Sequence, residues 1–219
     1  MTDSMTFEQV VSTTRSMRRL DPHRDIEPDT LEYILRCATY APSGGNAQPV
    51  RWVVVTDAER RRQLGDIYRR ASVDIFAPYR QLVLKDPPDP IAKSVLHLVE
   101  HFGESPVVIA ACTRDRRTSD ESSPFSAPWD NPMLTAASTV WPAVQNLCLA
   151  ARSVGIGTTP TVIHNIIWHE VADVLGVPPE AAVWCLIPLG YPLGAWGTPK
   201  RKPVEAVTYR ETWGASWRG

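Results

Sequence analysis

The sequence carries almost no net charge: 23 lysines and arginines stand against 24 aspartates and glutamates. That balance gives no bulk attraction to a polyanion, so no nucleic-acid partner is expected. Cysteine is sparse. Cys37, Cys112, Cys148 and Cys185 are scattered, and no two have metal-ligand or redox-motif spacing. Each lies in an apolar segment, which suits reduced, buried thiols in a cytoplasmic protein. The opening residues MTDSMTFEQV lack the basic-then-apolar order of a signal peptide. No apolar run reaches bilayer-spanning length, so no membrane partner is expected.

Familiar catalytic signatures are missing too. No serine is framed as Gly-x-Ser-x-Gly, and there is neither a P-loop nor a GxGxxG turn. Gly155-Ile156-Gly157 is a partial match that follows a helical segment rather than opening one, which argues against a classical dinucleotide fold. His97 and His101 share one face of a predicted helix, but no acid sits next to the first histidine as in the metalloprotease motif. They read as a surface face. His164 and His169 are too far apart for one helix face, so no metal is expected. With no evident acid, base or nucleophile, a reactive site here needs a cofactor that brings its own chemistry.

What is present is a chain of 219 residues with 43% hydrophobic content, enough for a full core. Thr6 and Gln9 offer a capping box, and Phe7, Val10 and Val11 a stripe, so a helix is predicted from about Thr6 to Thr14. Pro28 and Asp29 open a second helix, with Leu31, Ile34, Leu35 and Ala38 on one face; Pro42 and Gly44-Gly45 end it. Val50 to Val55 reads as a buried strand. Thr56 and Glu59 form another capping box, opening a helix toward Arg70 whose arginines Arg60 to Arg62 fan into solvent.

A loop follows from Arg80 to Pro90, then a helix from Ile91 to Phe102 and a buried strand from Val107 to Cys112. Thr113 to Pro132 reads as a long loop carrying Phe125 and Trp129. Met133 to Val154 is an alanine-rich helix that Pro142 should kink or restart and that Gly155 and Gly157 close. Asn165 to Leu175 is a helix stopped by Gly176 and Pro178, and Trp184 to Leu189 is a third apolar strand. The tail from Thr198 has too few apolar residues for a domain and should lie across another surface. Interleaved helices and strands without a linker favour one sheet covered by helices on both faces.

Basic clusters lie near both ends. Arg15, Arg18 and Arg19 follow the first helix, and Lys200, Arg201 and Lys202 open the tail. Either cluster suits a solvated surface near a helix end. The alternative is that Arg15 and Arg201 grip a phosphate through paired guanidinium donors. The stretch APSGGNAQPVRW, residues 41–52, has more small polar and glycine residues than a helix-to-strand connection requires.

Five segments, RSMRRLD, APSGGNAQPVRWVVV, LAARSVGIGTTPTV, LGVPPEAAVWCLIPLGYP and KRKPVEAV, together resemble the nitroreductase family of FMN-dependent oxidoreductases over almost the whole chain. The resemblance implies an α+β fold: a three-layer sandwich with a central, mostly antiparallel sheet flanked by helices, in an intertwined homodimer. Residues 1–219 would form one domain, its tail from about 198 packing on the partner subunit. FMN would lie in the dimer interface, with NADH or NADPH as co-substrate and a small-molecule acceptor such as a nitroaromatic or quinone. Arg15 and Arg201 match the positions that hold the FMN phosphate, and Ser16 one beside them. Arg18 matches the cation at the pyrimidine edge, where reduction places negative charge. Pro42, Ser43, Gly44 and Asn46, with Gln48, match the segment reaching the flavin from the partner. Pro160, Thr161 and Val162 match the backbone near N5. No side chain is then catalytic, and kinetics should be ping-pong.

Three departures stand against the family pattern: Leu20 where an aromatic is usual, Thr159-Pro160-Thr161 near N5, and Pro142 in the helix expected at the dimer core. The same fold would also suit a flavin-sequestering protein, a reductive dehalogenase or a flavin-modifying enzyme.

Overall fold

The computed structural model describes residues 5–75, 90–114 and 132–218. The loops expected over 80–90 and 113–132, with Phe125 and Trp129, fall outside the described residues except at their ends. Among the described residues four strands form one sheet: β1 (Val50–Val55), β2 (Val107–Thr113), β3 (Gly157–Thr158) and β4 (Ala182–Gly190). Their order is β1-β2-β4-β3 and every neighbouring pair is antiparallel. β2 and β4 are central. Both are nearly continuous apolar runs because helices cover both of their faces.

Strand periodicity of two sends alternate residues to opposite layers. Val108, Ala110, Cys112, Val183 and Leu186 face one core, where they meet α3 (Ala58–Arg69), α4 (Pro90–His101) and α6 (Trp168–Leu175). Val107, Ile109, Ala111, Cys185, Ile187 and Leu189 face the other, against α2 (Pro28–Thr39) and α5 (Pro132–Ser153). This is the α+β three-layer arrangement that the resemblance implied. α1 (Phe7–Thr13) lies along α5 and carries the expected capping box, Thr6 accepting from the Gln9 amide at 3.2 Å.

Several elements differ from expectation. Among the described residues β1 is an edge strand with only Val55 fully buried, because β2 alone pairs with it there. Its valine run resembles a buried strand but covers one open edge. Asp57, rather than Thr56, caps α3, accepting from the Arg60 amide at 2.9 Å; a carboxylate suits that end of the helix dipole. Of the three arginines that follow, Arg61 turns back to donate to the Ser105 carbonyl.

α5 runs unbroken through Pro142. One backbone bond is lost there, yet Val140, Val144 and Leu147 hold the helix against the sheet. Gly155, at φ +80°, does close it, with the Ile156 amide reaching the Ala151 carbonyl at 2.8 Å. Gly157 does not close the helix; it lies in β3, a strand too short to show in the sequence. The helix expected from Asn165 begins as a tight turn, Ile163–Ile167, and becomes α6 only at Trp168; Gly176, at φ +64°, ends it. No helix among the described residues is long and apolar enough to cross a membrane. The tail makes a short turn at Val204–Ala206, then folds back so that Tyr209 bridges Ser216, and leaves Trp213 90% exposed.

Candidate active site

The arginine-rich segment after α1 is extended chain pinned to the sheet edge. Ser16 bridges Thr158 in parallel, and the Met17 amide donates to the Thr158 carbonyl at 3.0 Å. The Thr159 hydroxyl returns a bond to the Met17 carbonyl at 2.9 Å. Met17 and Leu20 turn inward and are buried, leaving Arg15, Ser16 and Arg19 exposed. Two glycines make room for this. A Cβ on Gly157 would stand 2.8 Å from the Met17 Cβ, and one on Gly190 would stand 3.0 Å from the Leu20 Cβ.

The candidate N5 segment continues along the same edge. Thr161 exchanges backbone bonds with Leu186 at 2.9 and 3.0 Å. The Thr161 amide is therefore used, and Pro160 has none. Among Pro160, Thr161 and Val162, only the Val162 amide has no backbone acceptor, and that residue is 47% exposed. Thr161 Oγ1 donates to the Tyr68 hydroxyl at 3.4 Å, which ties the segment to α3.

Arg15 approaches the start of the tail: a Cβ on Gly197 would lie 3.8 Å from its Nη1. Arg201 is exposed, and its guanidinium donates to the Lys200 carbonyl at 3.1 Å. Arg18 is half-buried in a cavity of about 160 Å³ shared with Leu20, His97, His101 and Leu193. The two histidine rings there lie 4.3 Å apart, and His101 Nδ1 is 3.0 Å from Glu104 Oε2. Burial, then the neighbouring His101, lowers the His97 pKa. Among the described residues no three His, Cys, Asp or Glu side chains are grouped to hold a metal.

The Ser43–Gln48 turn is unusual in its backbone. Gly45, Asn46 and Gln48 have φ of +57°, +55° and +47°, and the last two are not glycine. Such strain clusters at binding sites. Ser43 Oγ accepts from the Gln48 amide at 3.0 Å, and Gln48 Nε2 donates to Asn46 Oδ1 at 3.1 Å. Around a Cβ placed on Gly44 or Gly45 there is nothing within 4 Å. Ser43 and Gln48 line a cavity of about 170 Å³ with Ala38, Ala41, Trp52 and Ala143.

The fold keeps this turn away from the other candidates. β1 and β3 are opposite edges, three strand spacings or about 14 Å apart. Val50 lies level with Thr113 and so with Ala182, whereas Thr158 lies level with Leu189. That adds seven residues along β4, about 23 Å. The turn and the Ser16–Thr158 bridge therefore occupy diagonally opposite corners of the sheet.

Two buried features have a significance that the sequence does not reveal. Arg152, in the last turn of α5, is 9% exposed. A basic residue there reads as an ordinary dipole partner, and only the structure reveals its burial. His164 is fully buried with neither ring nitrogen hydrogen-bonded, and burial lowers its pKa to about 4. Three of the four thiols are buried and offer no nucleophile, whereas Cys37 is half-buried rather than buried as expected. Burial pushes Cys112 and Cys148 up to about 11, and Cys185 higher still.

The sequence profile of the Nitroreductase family matches residues 11–191. This chain belongs to that family. A nitroreductase-family oxidoreductase is also what its relatives indicate. It is 30% identical to an NADH dehydrogenase of Thermus thermophilus, over 88% of this chain and 90% of that one. It is 28% identical to an iodotyrosine deiodinase of Thermotoga neapolitana, over 75% and 77%. Its fold matches a solved iodotyrosine deiodinase bound to FMN and 3-iodo-L-tyrosine with a TM-score of 0.70, at 22% identity, covering 94% of this chain and 99% of that one.

Proposed function

We propose that the protein is an FMN-dependent oxidoreductase that uses NADH or NADPH to reduce nitroaromatic, quinone or related acceptors, and that it works as a homodimer. The observation that carries this reading is the diagonal separation of two clusters suited to one flavin. Two chains arranged about a twofold axis can bring the turn of one to the arginine edge of the other. Phe7, Tyr40 and Trp141, at 79%, 74% and 41% exposed, supply apolar surface for such an interface. The tail from 198, with Trp213 outermost, would pack on the partner subunit, completing a single domain of residues 1–219. The buried thiols suit a cytoplasmic setting.

The donor set fits FMN. Arg15, Arg18 and Arg201 pair with no carboxylate among the described residues, so their charges are available to an anion. Arg15 and Arg201 would hold the phosphate, with Ser16 beside them. Arg18 would stand at the pyrimidine edge and stabilise negative charge there. The Val162 amide is left to donate toward N5, with Pro160 and Thr161 fixing its place. Pro42, Ser43, Gly44, Asn46 and Gln48 of the second copy would close the site with small polar groups. Bound FMN would supply the hydride chemistry, and one open face serving both substrates gives ping-pong kinetics. This chain's residues orient and exclude water; none is assigned as acid or base.

The purified protein should be yellow and should bleach with NADH or NADPH in the absence of oxygen. A protein that takes up no FMN would overturn the assignment. A bound flavin that neither nucleotide reduces would favour flavin sequestration. Likeness to iodotyrosine deiodinases in both sequence and fold favours reductive dehalogenation as a second reading. Release of halide from 3-iodotyrosine by the reduced protein would support it; reduction of nitroaromatics or quinones without halide release would exclude it.

A further inference from the structure

Arg152 is a nearly buried cation that has no counter-charge among the described residues. Its guanidinium carbon lies 4.1 Å over the Trp196 ring, and its Nε donates to Thr13 Oγ1 at 2.8 Å. Its Nη1 meets only Met5 Sδ, at 3.1 Å, a weak acceptor. No carboxylate among the described residues pairs with it. Burial lowers its pKa, yet a guanidinium keeps its proton in a protein. A charge with so little exposure and no counter-charge is costly to hold, and an anion would offset that cost.

A guanidinium has five N–H donors, and Thr13 and Met5 engage two. Nη2, which has no protein partner among the described residues, is not sealed in. Among the described residues the buried, unpartnered side-chain N and O atoms are Ser72 Oγ and the two nitrogens of His164.

Position supplies the anion. Thr13 is two residues before Arg15. Trp196, on which Arg152 lies, precedes Gly197, beside which Arg15 lies. Two guanidiniums therefore flank one stretch of chain that leads directly to Arg201. The aromatic ring and the Thr13 hydroxyl hold the Arg152 fork in place, so little side-chain freedom is lost when it engages a ligand.

We propose that Arg152 is a third guanidinium at the phosphate end of the flavin site and that it selects phosphorylated flavin over riboflavin. This rests on the FMN reading above. A purely structural Arg152 would tie the N-terminal segment to Trp196 and would not distinguish the two flavins.

The test is fluorescence titration of flavin-free protein with FMN and with riboflavin. In Arg152→Gln, FMN affinity should fall about 10- to 100-fold, the loss of one charge-assisted hydrogen bond. Riboflavin affinity should change by less than about twofold, since the flavin ring and ribityl chain lose no partner. Arg152→Lys, which keeps the charge but not the fork, should fall between. Equal losses for both flavins, or no loss for either, would overturn the proposal while leaving FMN binding by the native protein intact. Native protein that binds no FMN would overturn the FMN reading and this inference with it. Failure of both variants to fold would assign Arg152 to the fold and likewise overturn it.

Discussion

Replacing His164 with leucine should stabilise the protein, and by more at pH 5 than at pH 7.5. The ring is fully buried and both its nitrogens lack partners. A buried polar group left unsatisfied costs about 1–3 kcal/mol, which an apolar side chain of similar size avoids. Burial also lowers the pKa of the imidazole from 6.5 to about 4. The folded state therefore holds His164 neutral where the unfolded chain takes up a proton. Stability from this group is complete above about pH 6.5 and is lost as pH falls toward 4. The gap of about 2.5 units sets a ceiling near 3 kcal/mol, of which ~2 kcal/mol is lost by pH 5. Urea unfolding of both proteins at pH 7.5 and pH 5, at one protein concentration, measures it. Carboxylates titrate alike in both, so the difference between them isolates the imidazole. A variant less stable at pH 7.5, or a difference that does not change with pH, would refute the reasoning.

Other changes have equally specific outcomes. Asp57→Ala should cost about 1 kcal/mol by removing the α3 cap, while Thr56→Ala should cost less than about 0.5, both read from thermal unfolding. Gly157→Ala forces a methyl to within 2.8 Å of the Met17 Cβ and should cost about 1–3 kcal/mol by overpacking. Because the Arg15–Leu20 segment must then move, FMN titration should also show weaker binding. Arg18→Ala should slow flavin reduction in anaerobic stopped flow more than it weakens FMN binding, and Arg201→Ala should do the reverse.

The legible parts of the fold were those whose sequence pattern equals their burial. β2 and β4 are apolar throughout because both faces are covered, and α2 shows its stripe because only one face is. β1 reads as buried because valines at an edge look like valines in a core. β3 was invisible because two residues carry no period. Asp57 and Thr56 are both competent caps, and only backbone geometry chooses between them.

At the candidate site, the residues with unusual composition stood out: the arginines after α1 and the glycine-rich turn. Their placement at opposite corners did not, since it depends on strand order. Arg152 reads as an ordinary helix-end cation and His164 only as a rejected metal ligand, for a related reason. Their identities are ordinary, and what marks them is burial without a partner, which arises only when distant segments pack.

The central claim is that each flavin site draws its cations from one chain and its glycine-rich turn from the other. It is tested by mixing two defective chains. One carries Arg15→Ala and Arg201→Ala. The other carries Gly44→Phe, whose Cβ meets nothing in its own chain within 4 Å and whose ring would crowd a flavin at the turn. Co-expression with different tags isolates the mixed dimer, and bound flavin is counted by absorbance. The account expects little FMN on either parent and about one FMN per mixed dimer, because one of its two symmetry-related sites combines the intact half of each chain. A mixed dimer that binds no FMN would contradict it.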